Sequence, residues 1–250
     1  MVRENDVATF RRQGWLLLDD VLGISNEQLR GAVDDIASWP DGGGEWMHHY
    51  ERTDAGPQLA RSENFVPFQP LLGPLLREGV VREIAGELFG EPAVLYKEKV
   101  NYKLAGGAGF RPHQDLPAYP FTPRVISVMI AVDDATVANG CLEVVDGWRD
   151  KVLPQDERGC ITADVVSSLS WHHVPLRTGS VLFFDGLLPH RSSGNTTDHS
   201  RRALYPTYNP LSVGDVRDEY YAAKLAAFSS PEPDDRVRLS LIGDFEGRPV

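Results

Sequence analysis

The sequence predicts a mainly β protein with flanking helices, an antiparallel barrel of the double-stranded β-helix (jelly-roll) type. From about residue 92 to about residue 210 the chain falls into short segments, "AVLYKEKVNYKLA", "RVISVMIAVDDA", "CLEVVDGW", "SLSWHHVPL", "GSVLFFDGLLPH" and "RRALYPTYNP". They are rich in β-branched and aromatic residues and are separated by Gly, Pro, Asn and Asp, the pattern of many short strands. Helix-patterned segments precede this region instead of alternating with it, which opposes a parallel βαβ arrangement. No repeat, low-complexity tract or linker-like run divides the 250 residues, so one domain over 1–250 is expected. It would have a helical part to about residue 90, a jelly-roll core at about 92–210 and a C-terminal helix and tail at 211–250.

Residues 4–13 are short, polar and helix-compatible, and Gly14 ends them. "WLLLDDVL" (15–22) then reads as a buried strand. Ser25, with Gln28 three residues later, is a capping-box start for the helix "NEQLRGAVDDIASW", which Pro40 stops. "DGGGEW" and the polar segment to about residue 64 read as a long surface loop, a lid or binding loop or simply an irregular connection. Residues 74–90 read as one amphipathic helix carrying Leu75, Leu76, Val80, Val81, Ile84 and Leu88 on or near one face. After the β region, residues 217–228 read as a last helix.

Composition narrows the function. Apolar residues make up 42% and charged residues 24%, as in an ordinary globular protein. The formal charge of -11 argues against nucleic acid, whose phosphates need a basic surface. It leaves room for a small anion bound by a local cluster of Lys and Arg. No apolar run is long enough to span a bilayer, and "MVRENDVATFRRQGW" lacks the apolar stretch of a secretory signal. Cys141 and Cys160 show no C-x-x-C spacing and fit reduced thiols, so a cytoplasmic location is expected.

The chemistry centres on "GGAGFRPHQDLPAYPF" (106–121), which sets His113 and Asp115 two residues apart. On a strand, residues i and i+2 share a face, so both side chains would reach one barrel mouth. His48, His49, His172, His173, His190 and His199 are candidates for a third ligand. His190 stands out because it ends the apolar stretch "SVLFFDGLLPH" at what would be the barrel rim. His172 and His173 read as structural or surface residues, His48 and His49 as loop residues near an entrance, and His199 as solvated. His113, Asp115 and His190 would form a 2-His-1-carboxylate triad on one face of an ion, the arrangement of non-haem Fe(II) oxygenases. Downstream, "RSSGNTTDHSRRALYPTY" starts a strand with Arg201 and Arg202, of which alternation turns only one inward. A buried arginine fork there suits the dicarboxylate 2-oxoglutarate; the plain alternative is a charged strand start.

At these residues the sequence resembles the phytanoyl-CoA dioxygenase family of Fe(II)- and 2-oxoglutarate-dependent oxygenases. The resemblance lies in "YKEKVNYKLAGGAGFRPHQD", "NGCLEVVDGW", "GSVLFFDGLLPHRSSGN" and "RRALYPTYN", with "FRRQGWLLLDDVL" similar to the family's beginning. It implies a jelly roll with Fe(II) held by His113, Asp115 and His190, and 2-oxoglutarate and O2 as co-substrates. It implies Arg201, eleven positions after His190, as partner of the distal 2-oxoglutarate carboxylate, with Ser192 assisting and Asn101 helping to hold the same molecule. Lys97 matches a substrate-contacting position in related hydroxylases. The chain departs from the family in having Arg191 where glycine commonly follows the distal histidine. Aspartate, not Gly or Ala, at position 115 leaves no coordination site for a halide and favours oxygenation over halogenation.

The implied function is oxidation, by default hydroxylation, of a C–H bond in a small metabolite or natural-product intermediate, with release of succinate and CO2. Lys97, Lys99 and Lys103 share one strand face, and an anionic substrate is expected if at least one turns inward; a solvated face is the plain alternative. Tyr119 and Phe121, just after the motif, would line a pocket or pack beneath it. Two rival classes remain open at this level. A zinc hydrolase or isomerase would use the same triad to activate water but gives Arg201, Ser192 and Asn101 no joint role. A non-catalytic jelly-roll binding protein would be expected to have lost a ligand.

Overall fold

A computed structural model describes residues 2–41, 45–147, 151–228 and 242–249. Positions 42–44 of the "DGGGEW" stretch and Trp148 of "NGCLEVVDGW" therefore lie outside the described residues. Among these residues, helices α1 (Glu4–Gln13), α2 (Asn26–Ser38), α3 (Leu72–Arg77), α4 (Val80–Phe89), α5 (Ala163–Ser168) and α6 (Arg217–Phe228) accompany thirteen strands. The strands are β1 (Trp15–Leu18), β2 (Met47–Thr53), β3 (Gly56–Glu63), β4 (Ala93–Lys97), β5 (Lys99–Lys103), β6 (Phe110–His113), β7 (Ile126–Ala131), β8 (Leu142–Val144), β9 (His172–Val174), β10 (Val181–Asp185), β11 (His190–Ser192), β12 (Arg201–Leu204) and β13 (Thr207–Pro210).

Among the described residues the strands form two antiparallel sheets. The larger runs β1-β10-β7-β12-β5-β3-β2, with β13 joining β7 to β4; the smaller runs β6-β11-β8-β9. The large sheet is buried on both faces, which explains why its strands read as continuous apolar runs. On its inner face Met129, Ala131, Leu182, Phe184 and Ala203 pack with Leu142, Val144 and Val174 of the small sheet. On its outer face Val100, Val128, Ile130, Val181, Phe183 and Leu204 pack against Leu29, Val33, Ile36, Leu76, Val81 and Ile84 of the helices. Burying each such side chain contributes roughly 1.5–3 kcal/mol, so the helical layer sets which face of every strand looks inward. On β5 and β12 that leaves Lys99, Asn101, Lys103 and Arg201 for the interior.

The α2 capping box forms as expected, Gln28 N–H donating to Ser25 Oγ at 3.1 Å and Ser25 N–H to Gln28 Oε1 at 2.9 Å. Three expectations are corrected. The predicted loop to residue 64 contains a β-hairpin, β2 and β3, which extends the large sheet through β3–β5 pairing. Its polar alternation hid it, because inward polar residues here serve ion pairs: Lys224 Nζ of α6 meets buried Glu63 at 2.6 Å. The single helix over 74–90 is two, because Gly79 takes extended backbone (φ −84°, ψ −170°) and caps the second, at a spot where a β-carbon would lie 2.6 Å from the Leu75 carbonyl oxygen. "AVLYKEKVNYKLA" is two strands that break at Glu98, whose buried carboxylate takes both arms of Arg217 from α6, 3.0 Å from Nη2. No helix among the described residues is long and apolar enough to cross a membrane.

Candidate active site

The two histidines meet through sheet register. His113, the last residue of β6, is the Cα partner of His190, the first residue of β11, and their ring centroids lie 4.2 Å apart. His190 thus opens a strand of the small sheet after a turn, instead of ending the apolar strand as the sequence implied. Asp115 lies beyond the end of β6 in helical backbone conformation, capping a short 3-10 turn at Leu116–Ala118. A turn, not strand alternation, brings its carboxylate round. Between them Gln114 is fully buried and pins the local chain: its Nε2 donates to the Leu187 carbonyl at 2.5 Å and its Oε1 accepts from Leu153 N–H at 2.7 Å.

The donor set fits a metal ion. Nε2 of His113 and of His190 lie 3.7 and 3.8 Å from Asp115 Oδ1, and the three ligand atoms fall within 4.8 Å of one another. The Nδ1 of His113 faces the Arg111 carbonyl at 2.7 Å, and that of His190 the Leu188 carbonyl at 3.0 Å. A carbonyl only accepts, so each Nδ1 carries the proton and each Nε2 presents its lone pair. Burial, then the neighbouring His113, pushes the His190 imidazole down to about 4 and keeps it neutral. Burial would raise the Asp115 carboxyl, but His190, His113 and Lys99 hold it well below the usual carboxylate range. Ser127 Oγ, on the inner face of β7, donates to its other oxygen.

One end of the site is a cationic corner. Arg201 and Lys103 are direct partners on β12 and β5 and are 2% and 6% exposed. Arg201 Nη2 donates to the Gly140 carbonyl at 2.6 Å, while its buried Nε has no hydrogen-bond partner among the described residues. Lys103 Nζ donates to Ser192 Oγ at 2.8 Å and to the Ser193 and Gly140 carbonyls at 2.5 and 3.2 Å. Burial, with Arg201 adding to it, pushes this ammonium down to about 7. Gly140, at φ 72°, makes the corner possible, since a β-carbon there would sit 2.2 Å from the Ser193 carbonyl oxygen. An arginine with an orphan N–H beside a second cation is a ready carboxylate site. Arg202 turns to the outer face and binds Asp133, Nη2 donating at 2.9 Å.

The pocket that holds the metal-ligand cluster is lined by Lys97, Lys99 and Asn101 from β4 and β5, and by Tyr119, Phe184 and Asp244. Lys97 Nζ lies 4.9 Å from the centre of the Tyr119 ring, and Lys99 Nζ lies 5.5 Å from that of Tyr205. Neither ammonium donates a hydrogen bond among the described residues. Burial lowers the pKa of both; Arg61 and Lys97 push Lys99 further, while Glu63 and Asp115 draw Lys97 partly back.

Not every candidate converges here. Phe121 is 37% exposed and outside the pocket, because the turn after Tyr119 carries the chain to the surface. Lys103, grouped by sequence with Lys97 and Lys99, belongs to the Arg201 corner. His48 spans Ser62 and the Trp39 carbonyl, His49 faces Glu63 at 3.7 Å, His172 stacks on Trp15, and His173 and His199 are exposed. Arg191 lines the pocket, while its guanidinium pairs with Glu143 at 2.8 Å and lies over the Trp171 ring. Ser127 and Asp244 escaped the sequence reading. Strand alternation on β7 could have found the first; nothing local marks the second, far along the chain.

Comparison with known proteins agrees with this geometry. The family model described as phytanoyl-CoA dioxygenase (PhyH) matches residues 10–203. The chain is 40% identical over 251 residues to the methylphosphonate hydroxylase of Gimesia maris, covering 99% of this chain and 96% of that protein. It is 36% identical over 224 residues to a 2-aminoethylphosphonate dioxygenase from an uncultured bacterium (HF130_AEPn_1), covering 86% and 85%. Among solved structures, EctD from S. alaskensis with 2-oxoglutarate and 5-hydroxyectoine superposes with a TM-score of 0.74 at 20% identity, covering 84% of this chain and 77% of that one. The chain belongs to the phytanoyl-CoA dioxygenase family and is a non-haem Fe(II)- and 2-oxoglutarate-dependent oxygenase.

Proposed function

We propose that this oxygenase hydroxylates a small phosphonate at the carbon bonded to phosphorus, with His113, Asp115 and His190 as the iron ligands. The observation that carries the substrate class is the pair Lys97 and Lys99. Two ammoniums face the pocket that holds the ligand cluster, and neither spends a hydrogen bond on the described protein. A buried and a half-buried cation left open in this way call for an anion of high charge density. Two relatives named for phosphonate chemistry support the same reading, and in methylphosphonate the only C–H bonds are on the carbon next to phosphorus.

When bound, iron and 2-oxoglutarate supply the oxidising chemistry, which uses O2 to replace a C–H hydrogen with hydroxyl while 2-oxoglutarate leaves as succinate and CO2. The chain's residues place the reactants. Arg201 and Lys103 neutralise the distal carboxylate of 2-oxoglutarate, and Ser192 gives that carboxylate a hydroxyl donor. Asn101, with its amide oxygen already accepting from Arg61 Nε at 2.9 Å, offers its N–H2 to the same molecule. Ser127 fixes which oxygen of Asp115 faces the metal, and the Arg111 and Leu188 carbonyls do so for the imidazoles. Lys97 and Lys99 hold the phosphonate so that the adjacent carbon points toward the ligand cluster. Tyr119 and Phe184 line the cavity and exclude water from the reacting centre.

The test is anaerobic loading with Fe(II), then exposure to air with 2-oxoglutarate and methylphosphonate or 2-aminoethylphosphonate. Phosphorus NMR follows the substrate, and succinate is quantified beside it. A new α-hydroxyphosphonate resonance matching succinate mole for mole is expected in wild type, with a drop of at least tenfold in kcat/KM in Lys97→Ala and Lys99→Ala. Succinate formed without any phosphonate being consumed would refute the substrate assignment and leave the enzyme class intact.

A further inference from the structure

Asp244 enters the pocket from outside the jelly-roll strands. Its segment lies along the free edge of β6, where Phe245 pairs with Phe110 and their rings stack at 5.2 Å. The segment is fastened on both sides of the aspartate: Gly243 N–H donates to the Arg158 carbonyl at 2.8 Å, Arg111 N–H to the Asp244 carbonyl at 2.6 Å, and Glu246 N–H to the Gly109 carbonyl at 3.1 Å. The backbone is therefore held while the carboxylate projects inward, 3% exposed as a residue.

Among the described residues hydrogen bonding under-serves that carboxylate: Lys97 and Lys99 act on it through their charge without a hydrogen bond to it. Oδ1 is buried without a hydrogen bond among the described residues. Oδ2 lies 3.4 Å from His113 Nε2, the nitrogen that gives its lone pair to a metal and then has no proton to offer. Asp244 is not one of the group His113, Asp115 and His190 whose ligand atoms lie mutually close enough for one ion. A buried carboxylate left unpaired beside an anionic substrate is costly. A cation on the substrate removes that cost.

Resting on the phosphonate reading above, we propose that Asp244 is a specificity-determining residue that binds an ammonium group, and that the substrate is a zwitterion, an aminoalkylphosphonate. Lys97 and Lys99 on the large sheet take the phosphonate, and Asp244 beside the small sheet takes the amine. The molecule is gripped at both ends, and the carbon between them is presented beside His113. A substrate bearing only the phosphonate leaves Asp244 unpaired.

Isothermal titration of the Fe(II)-loaded, 2-oxoglutarate-bound protein under anaerobic conditions tests this with matched pairs. 2-Aminoethylphosphonate is compared with propylphosphonate, in which a methyl group replaces the ammonium, and β-alanine with butyrate, which differ in the same way. The expected result is a preference for 2-aminoethylphosphonate of about 10- to 100-fold in Kd, the worth of a buried charge-assisted pair. Asp244→Asn should reduce it to within about threefold. Iron content and 2-oxoglutarate binding serve as folding controls, and the wild-type pairs test the idea without any variant. Equal affinity for both members of each pair, or a preference that survives Asp244→Asn, overturns the assignment while phosphonate binding stands. An amine preference confined to the carboxylate pair, with neither phosphonate bound, sinks the phosphonate reading and upholds Asp244. Loss of iron in Asp244→Asn with the amine preference intact assigns the residue to the metal instead and overturns the proposal.

Discussion

Replacing Arg201 by alanine tests the co-substrate corner most directly. The side chain is 2% exposed, spends Nη2 on the Gly140 carbonyl and keeps Nε without a hydrogen bond among the described residues. A carboxylate bound there gains about two charge-assisted hydrogen bonds, each worth roughly 1.5–3 kcal/mol. Their joint loss would raise the Kd for 2-oxoglutarate by two to four orders of magnitude at about 1.4 kcal/mol per tenfold. Lys103 cushions the change. Arg201 is one cause of its low pKa, so removing the guanidinium restores charge to the ammonium. About 100-fold at neutral pH is the net expectation. Arg201→Lys should recover only part of it, because an ammonium cannot reproduce the fork. Anaerobic calorimetry of 2-oxoglutarate on the Fe(II) protein, paired with KM from succinate initial rates, gives the number, and far-UV circular dichroism checks folding. A Kd within about threefold of wild type in Arg201→Ala, with the loss appearing in Lys103→Met alone, would refute this assignment of the corner.

Further outcomes follow from the same contacts. With Lys103 pushed down to about 7 by burial, its charged form binds the dianion, so the KM for 2-oxoglutarate should be lowest below pH 7 and climb above it; Lys103→Met should flatten the profile between about pH 6 and 8.5. Gly140→Ala places a β-carbon 2.2 Å from a carbonyl at positive φ and should lower stability by at least about 2 kcal/mol in thermal melts. Glu98→Ala strands Arg217 in the interior, at a cost of about 3–5 kcal/mol and a fall in Tm of roughly 10 °C; a change under about 3 °C would deny that this pair ties α6 to the barrel.

The sequence showed the barrel because strand punctuation by Gly, Pro and Asn is a local signal. It pointed to the candidate ligands because His113 and Asp115, common enough as a lone pair, gained weight from the distal His190 and the arginine strand start that follows it. How they converge was not legible. The i, i+2 argument placed Asp115 on a strand that ends at His113, and only the turn geometry explains the outcome. The β2–β3 hairpin was invisible because Arg61 and Glu63 look like loop residues until α6 brings Lys224 to them. Lys103 does turn inward, but strand face alone does not say which end of the interior it reaches. Asp244 had no signal at all, since its place depends on a segment that folds back along β6.

The register His113↔His190 also bears on how the protein acquires its metal. These residues are distant in the chain and become neighbours only when β6 and β11 zip together, a non-local pairing of the kind that forms slowly. Until then only the local pair His113 and Asp115 can hold an ion, and two ligands bind it weakly, so iron is not expected to template this barrel as zinc does a finger. Refolding should give the same rate with and without metal, and metal should slow only unfolding. Metal uptake would then report the completed ladder, and a pulse-labelling experiment could use it as a clock for the last strands to dock.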